Sequence, residues 1–189
     1  MSDPFRDRGL PGDDDPLYQV GVMLINGWGY NWYRLDNRMR ADDLLIRERA
    51  AGYLTAAAAQ LRDLEARYRR KFLPPPSREH PYPEPEHVAA ARQFREVEGR
   101  IAEIETRVRG APVPANDKIW ERHRDGIDIL QRLGRCDALL AAGSKGLDEV
   151  VAGLPANAAI DPGAERKIDE YLGGLAGVLT QRNEILSAL

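Results

Sequence analysis

The chain has 189 residues and a mass of 21.1 kDa, the size of one ordinary domain that can bury a hydrophobic core. Charged residues make up 30% and hydrophobic residues 43%, a balance typical of a folded or coiled-coil protein and not of a disordered one. The formal net charge of −3 excludes a general electrostatic attraction to nucleic acid, and the single cysteine excludes a disulfide framework and multi-cysteine metal sites.

We predict that residues 1–15 form a flexible acidic tail and that residues 16–189 form a single all-helical domain. Asp15 followed by Pro16 is a typical helix start, with the aspartate as N-cap and proline at the first helical position. The opening residues contain no apolar leader region, so we expect a cytoplasmic protein. The large excess of arginine over lysine suggests a GC-rich bacterial genome.

The segment 16–72 is predicted to be helical with one bend near Asp36 and Asn37. Its uncharged run, 17–33, is shorter and more polar than the roughly 20 apolar residues of a membrane span, so integral insertion is not expected. After the bend, apolar residues recur at alternating spacings of three and four, which is the seam of a coiled coil: Leu54, Ala57, Leu61, Leu64 and Tyr68.

The segment 73–85 is rich in proline and ends this helix, because proline cannot continue a helical hydrogen-bond ladder. Over 86–109 the seam spacing resumes, at Ala90, Phe94, Val97, Ile101, Ile104 and Val108. Two seams of matching length joined by one connector predict an antiparallel, coiled-coil-like helical hairpin over 37–109.

Further helices are expected over 116–189. The first of them ends at Gly134 or continues to Gly143, and Gly143 to Gly146 are predicted to be a helix C-cap followed directly by a new N-cap at Ser144. A last helix is expected from about residue 163 to the end. The predicted fold class is therefore all-α: a helical hairpin with an N-terminal aromatic helix and a C-terminal helical bundle.

The densest candidate binding feature is aromatic and consists of Trp28, Tyr30, Trp32 and Tyr33. A helix that is apolar or aromatic all round must be covered all round. Two explanations stay open: a core helix covered by the C-terminal helices, or an interface for self-association or a protein partner, where tryptophan and tyrosine commonly anchor binding. Peripheral membrane contact is less favoured because the segment lacks the basic face of interfacial helices.

A basic run near the end of the first hairpin arm is a candidate phosphate or anion contact: Arg67, Arg69, Arg70 and Lys71. Acidic residues in the same turns and on the second arm favour a solvated, ion-paired surface instead. Nucleic-acid binding is therefore kept only as an alternative.

The sequence contains no motif that assigns a catalytic centre, a metal site or a cofactor. His80, His87 and His123 do not follow the spacings of zinc or di-iron ligands, and Cys136 is expected to be a small core residue. A magnesium-dependent, all-helical nucleotide hydrolase is an alternative, using Glu165, Asp169 and Glu170 beside Glu103 or Glu105. The favoured hypothesis is a non-catalytic helical interaction or scaffolding protein that self-associates through its aromatic helix.

Overall fold

The computed structural model of the protein describes residues 14–27, 38–76, 78, 82–112 and 126–187. All regular secondary structure within those ranges is helical: α1 (Pro16–Gly27), α2 (Arg38–Phe72), α3 (Pro85–Arg109), α4 (Gly126–Ala152) and α5 (Pro162–Ser187). The predicted all-α class is therefore confirmed. The predicted acidic tail, apart from residues 14–15, and the bend at Asp36 and Asn37 lie outside the described residues, and the single-domain boundary stays a prediction.

The start of α1 is set by its N-cap. The Tyr18 backbone N–H donates a hydrogen bond to Asp15 Oδ1 over 2.9 Å, and Pro16 occupies the first helical position. The cap satisfies one of the free N–H groups that every helix leaves at its first turn. The predicted helix start at Asp15 and Pro16 is thus confirmed.

Helices α2 and α3 lie side by side and run in opposite directions. Arg109 near the end of α3 pairs with Glu48 near the start of α2 at 2.8 Å, whereas Arg95 of α3 pairs with Glu65 farther along α2 at 2.7 Å. The residues of the predicted seam are buried between the helices and their neighbours, apart from the half-buried Leu64. The coiled-coil character of the pair stays a prediction.

Helices α4 and α5 form a second antiparallel pair. The ring of Tyr171 on α5 lies against Gly146 of α4, and Arg182 farther along α5 lies 3.5 Å from Asp137 earlier in α4. Between these two contacts the residue number falls along α4 and rises along α5, so the two helices run in opposite directions.

The two antiparallel pairs pack against each other so that α3 lies parallel to α5 and α2 lies parallel to α4. Gln93 of α3 donates to Glu165 of α5 over 2.8 Å, and Arg182 later in α5 donates to the Pro112 carbonyl just after α3. Helix α2 is likewise parallel to α4, with Ile46 beside Ala138 and Gln60 bonded to Asp148. The four helices form a ring in the order α2, α3, α5, α4 around a continuous apolar core, and α1 packs outside this ring on α4.

The sequence interpretation of residues 143–146 was wrong. Gly143, Ser144 and Gly146 lie inside the uninterrupted helix α4 and cap nothing. Ser144 is completely buried, and Gly146 provides the space into which the Tyr171 ring of α5 packs. Tertiary packing therefore holds this stretch helical, although glycine and serine are weak helix formers.

Candidate functional site

Helix α1 is attached to the bundle through an unusually close approach to α4. A Cβ atom built at Gly21 would lie 2.1 Å from the carbonyl oxygen of Ala138, so only glycine allows the two backbones to touch there. One turn later Ile25 is completely buried in a small cluster with Ile46 of α2 and with Ala138 and Ala141 of α4. The inner side of α1 is thus fully occupied.

The opposite side of α1 is apolar and exposed. It consists of Pro16, Val20, Met23 and Gly27, which we call the α1 face. Val20 is 43% exposed and Met23 is 74% exposed. Their spacings of four, three and four residues place all four on one stripe of the helix. The α1 face is therefore an apolar surface that the described part of the chain leaves uncovered.

Helix α1 itself contributes no charged side chain next to the α1 face. None of the 12 residues of α1 is charged. Gln19 and Asn26 form a neutral polar edge on one flank, and both are exposed. The Arg135 guanidinium of α4 lies over the Tyr18 ring, with its carbon 5.4 Å from the ring centre.

The aromatic residues predicted as anchors follow directly after Gly27 in the chain. Trp28, Tyr30, Trp32 and Tyr33 lie outside the described residues, so their predicted role stays a prediction.

The basic residues of the predicted anion contact lie in the last turns of α2: Arg67, Arg69, Arg70 and Lys71. Arg69 is paired with Glu65 at 2.6 Å, and the same carboxylate oxygen accepts a bond from Arg95 of α3 at 2.7 Å. Lys71 Nζ lies 4.9 Å from the centre of the Phe72 ring. Arg69 therefore has a carboxylate partner on its own helix α2, and anion binding by the group stays a prediction.

His87 is part of an aromatic contact between α2 and α3. Its Nδ1 shares a hydrogen bond of 2.9 Å with the Tyr68 hydroxyl, and its ring stacks on Phe72 with centres 4.7 Å apart. Burial, and then the nearby Glu86 carboxylate, raise the pKa of Tyr68 above its ordinary value. These contacts hold the two helices together beside the proline-rich connector. His80 and His123 lie outside the described residues.

Three of the five carboxylates named for the hydrolase alternative lie against arginines: Glu105, Glu165 and Asp169. Arg100 lies 2.5 Å from Asp169 and 3.9 Å from Glu165. Arg109 donates to Glu105, and this bond holds the pKa of Glu105 below its ordinary value. Within the described ranges, no three His, Cys, Asp or Glu side chains come together in a group that could hold a metal ion.

Two buried arginines, which the sequence analysis did not single out, hold the end of α3. Arg182 is completely buried, donates to the Pro112 carbonyl over 2.5 Å and lies 3.5 Å from the buried Asp137. Arg47, also buried, donates to the Ala111 carbonyl. Both carbonyls belong to the chain just past Arg109, outside the hydrogen bonds of the helix, and the two cationic donors satisfy them. These side chains fix the point where the chain leaves α3.

A signal for this cluster was present in the sequence. Arg182 follows Leu179 by three positions, and Asp137 lies between Leu133 and Leu140 at spacings of four and three. Both polar residues therefore occupy positions of an apolar seam, and a charged residue there is expected to be buried and paired.

Burial raises the pKa of two further titratable groups of α4. Cys136 is completely buried, as expected of a core residue, and burial raises its pKa to about 12, so the thiol stays protonated and unreactive. Partial burial, reinforced by the neighbouring Glu149 carboxylate, raises the pKa of Asp148.

Comparison with known proteins assigns no relative to this chain. No family model, no curated protein and no solved structure matches it. Among the residues that the structure describes, no helix combines the length and the apolar character needed to cross a bilayer.

Proposed function

We propose that this chain is a non-catalytic helical interaction or scaffolding protein that self-associates through the N-terminal helix and the aromatic residues that follow it. The observation that carries the proposal is the α1 face, an exposed apolar stripe on a helix without charged residues. Exposed apolar surface that is continuous and bordered by polar groups is typical of a binding site for another protein.

The position of the aromatic residues supports the same proposal. Trp28, Tyr30, Trp32 and Tyr33 begin immediately after the last residue of α1. Tryptophan and tyrosine provide large contact areas at low conformational cost and dominate the energetic centres of protein interfaces. In the proposal they serve as anchors, and the long α2–α3 pair, with its coiled-coil character, serves as a rigid support.

The pairing of charged side chains favours this function over the two alternatives. Of the carboxylates that a hydrolase would use, Asp169 is bonded to Arg100 and Glu105 is bonded to Arg109. Arg69, which a nucleic-acid interface would use, is bonded to Glu65. We further propose a cytoplasmic location in a bacterial cell, which fits the arginine-rich composition and the single buried cysteine.

Solution mass by size-exclusion chromatography with light scattering tests the proposal. The wild-type chain is expected to have at least twice the 21.1 kDa monomer mass. The double variant Trp28→Ala/Trp32→Ala is expected to be a monomer that keeps its helical circular dichroism. Tyr82→Ala is the matched control, because Tyr82 is an 85% exposed aromatic residue of the α2–α3 connector and should leave the mass unchanged.

Two results would contradict the proposal. A wild-type chain that is monomeric throughout would remove self-association. A double variant that loses its helical signal would instead place the two tryptophans in the core of the protein, as the other interpretation of the aromatic segment requires.

A further inference from the structure

The solvent-facing groove between α2 and α3, which we call the outer groove, has a net negative charge at the end where α2 starts. Arg109 pairs there with Glu48 and with Glu105, at 2.8 Å in each case, and we call these three residues the negative triad. The Glu48 side chain is 69% exposed. One arginine against two carboxylates leaves one negative charge in excess at neutral pH.

The opposite end of the outer groove has a net positive charge. Oε1 of Glu65 accepts bonds from Arg69 at 2.6 Å and from Arg95 at 2.7 Å, and we call these three residues the positive triad. The Arg95 side chain is 63% exposed, and two arginines against one carboxylate leave one positive charge in excess. The exposed carboxylates Asp63 and Glu96 each follow a groove residue by one position, about 100° farther round the helix, and lie outside the groove.

The middle of the outer groove is neutral and carries small side chains. Arg62 and Glu98 form an ion pair of 2.8 Å there, so their charges cancel. Ala59 and Gly99 are exposed in the same part of the two helices. A Cβ atom built at Gly99 would meet nothing within 4 Å, so a neighbouring backbone can approach this part of the groove closely.

The order of the charges indicates a second copy of this chain as the partner of the outer groove. A twofold axis across the middle of the groove places two copies face to face and antiparallel, so each residue at one end meets the opposite end of its partner. The negative triad of each copy then meets the positive triad of the other, about 26 Å apart along α2. A nucleic acid or an anionic membrane would instead meet the negative triad as a like charge. The outer groove is therefore complementary to itself in charge.

The size of the outer groove indicates that this contact adds to the proposed self-association and does not replace it. Two helices about 10 Å wide cover roughly 500 Å² over the length between the triads, which is less than the approximately 800 Å² that each partner buries in a standard interface. Two such contacts formed together between two dimers reinforce each other, because the second forms within an assembly that the first already holds.

We infer that the outer groove binds the outer groove of a second copy in antiparallel orientation, with the negative triad of each copy against the positive triad of the other, and that this contact joins two dimers into a tetramer. The inference rests on the proposed self-association, which supplies the dimers, and adds a second contact surface to it.

Exchanging the charge of one triad at a time tests this contact. Glu48→Lys makes both triads of a copy positive, and Arg95→Glu makes both negative. Each variant alone therefore opposes like charges at both ends of the groove, and at low ionic strength tetramer formation is expected to weaken at least about tenfold, leaving dimers in sedimentation equilibrium. An equimolar mixture of the two variants is expected to recover the tetramer, because every triad then faces one of opposite charge.

The exposed ion pair between Lys145 and Glu149 of α4 offers matched controls. Glu149→Lys and Lys145→Glu change the charge of the chain by the same amounts as the two groove variants, away from the outer groove. Both controls are expected to keep the wild-type mass, which should reach four times the 21.1 kDa monomer mass at low ionic strength. Circular dichroism verifies that each variant is folded.

The outcomes separate this inference from the proposed function. A wild-type chain that is only dimeric, or groove variants that keep the tetramer mass, would overturn the groove contact and leave the proposed self-association standing. If both groove variants are dimeric and their mixture stays dimeric, the two triads do not face each other, and the antiparallel contact is overturned. A monomeric wild type overturns both the inference and the proposed self-association.

Discussion

Gly21→Ala is expected to loosen α1 from the bundle. The new Cβ atom would lie 2.1 Å from the carbonyl oxygen and 2.5 Å from the carbonyl carbon of Ala138. Ordinary contact begins near 3.4 Å, so α1 must move outward by about 1.3 Å. Both opposing atoms belong to the backbone of a buried helix and cannot rotate away as a side chain can.

The expected cost follows from two opposing effects. Forcing one extra methyl group into a closely packed contact costs about 1–3 kcal/mol. Alanine forms helix better than glycine by about 1 kcal/mol, which offsets part of this cost. Because the clash is with backbone, we expect a net loss of about 1–2 kcal/mol in the free energy that holds α1 on α4. Ile25, now completely buried, would become partly hydrated.

Native-state hydrogen exchange of the α1 amides measures this loss directly, and urea denaturation measures its effect on the whole chain. Gly52→Ala is the matched control, because a Cβ atom at Gly52 of α2 meets nothing within 4 Å. The control is expected to gain about 0.5–1 kcal/mol from helix propensity alone. Unchanged or increased protection of α1 in Gly21→Ala would refute the close backbone contact.

Two further substitutions test the buried electrostatics. Arg182→Leu removes the buried cation 3.5 Å from Asp137 and the donor to the Pro112 carbonyl, and it is expected to lower the free energy of unfolding by about 3–5 kcal/mol in urea denaturation. Arg62→Ala removes an exposed ion pair and is expected to lower the free energy of unfolding by less than about 1 kcal/mol. Equal losses in the Arg182 and Arg62 variants would contradict the distinction between buried and exposed arginines. Asp148→Asn is expected to stabilise the protein at neutral pH, because burial penalises the ionised carboxylate while an asparagine oxygen can still accept the bond from Gln60. Because the pKa of Asp148 is raised, this penalty is present above the folded-state pKa and disappears below the ordinary value of 3.8. The stability gained by Asp148→Asn in urea denaturation should therefore shrink in acid. A gain that does not change with pH would contradict burial of the carboxylate as its cause.

The parts of the fold that depend on local pattern were predictable from the sequence. Asp15 and Pro16 start α1 as expected, since capping depends on neighbouring residues alone. Helix α3 begins at Pro85 and ends at Arg109, within one residue of the segment expected from its apolar spacing. The last helix, expected from about residue 163, begins at Pro162.

The parts that depend on contacts between distant helices were not predictable in the same way. The segment 143–146 resembles a helix end at Gly143 in sequence, yet it lies inside α4, where Gly146 makes room for Tyr171 of another helix. Gly21 likewise has a role only because Ala138 of α4 lies against it. Local propensity cannot indicate which glycine ends a helix and which receives a neighbour, because that depends on tertiary packing.

The candidate site was only partly accessible from the sequence. The uncharged segment after Pro16 was evident, but the exposure of Val20 and Met23 depends on which side of α1 meets α4. That side is chosen by Gly21 and Ile25, and the sequence alone does not identify their partners.

Self-association of the full chain is tested most directly by sedimentation equilibrium of the wild-type protein from about 1 to about 100 μM. We expect a weight-average mass that reaches at least twice 21.1 kDa within this range. We also expect the Met23→Glu variant to stay near the monomer mass over the same range. A wild-type mass of 21.1 kDa at every concentration would contradict the proposed self-association.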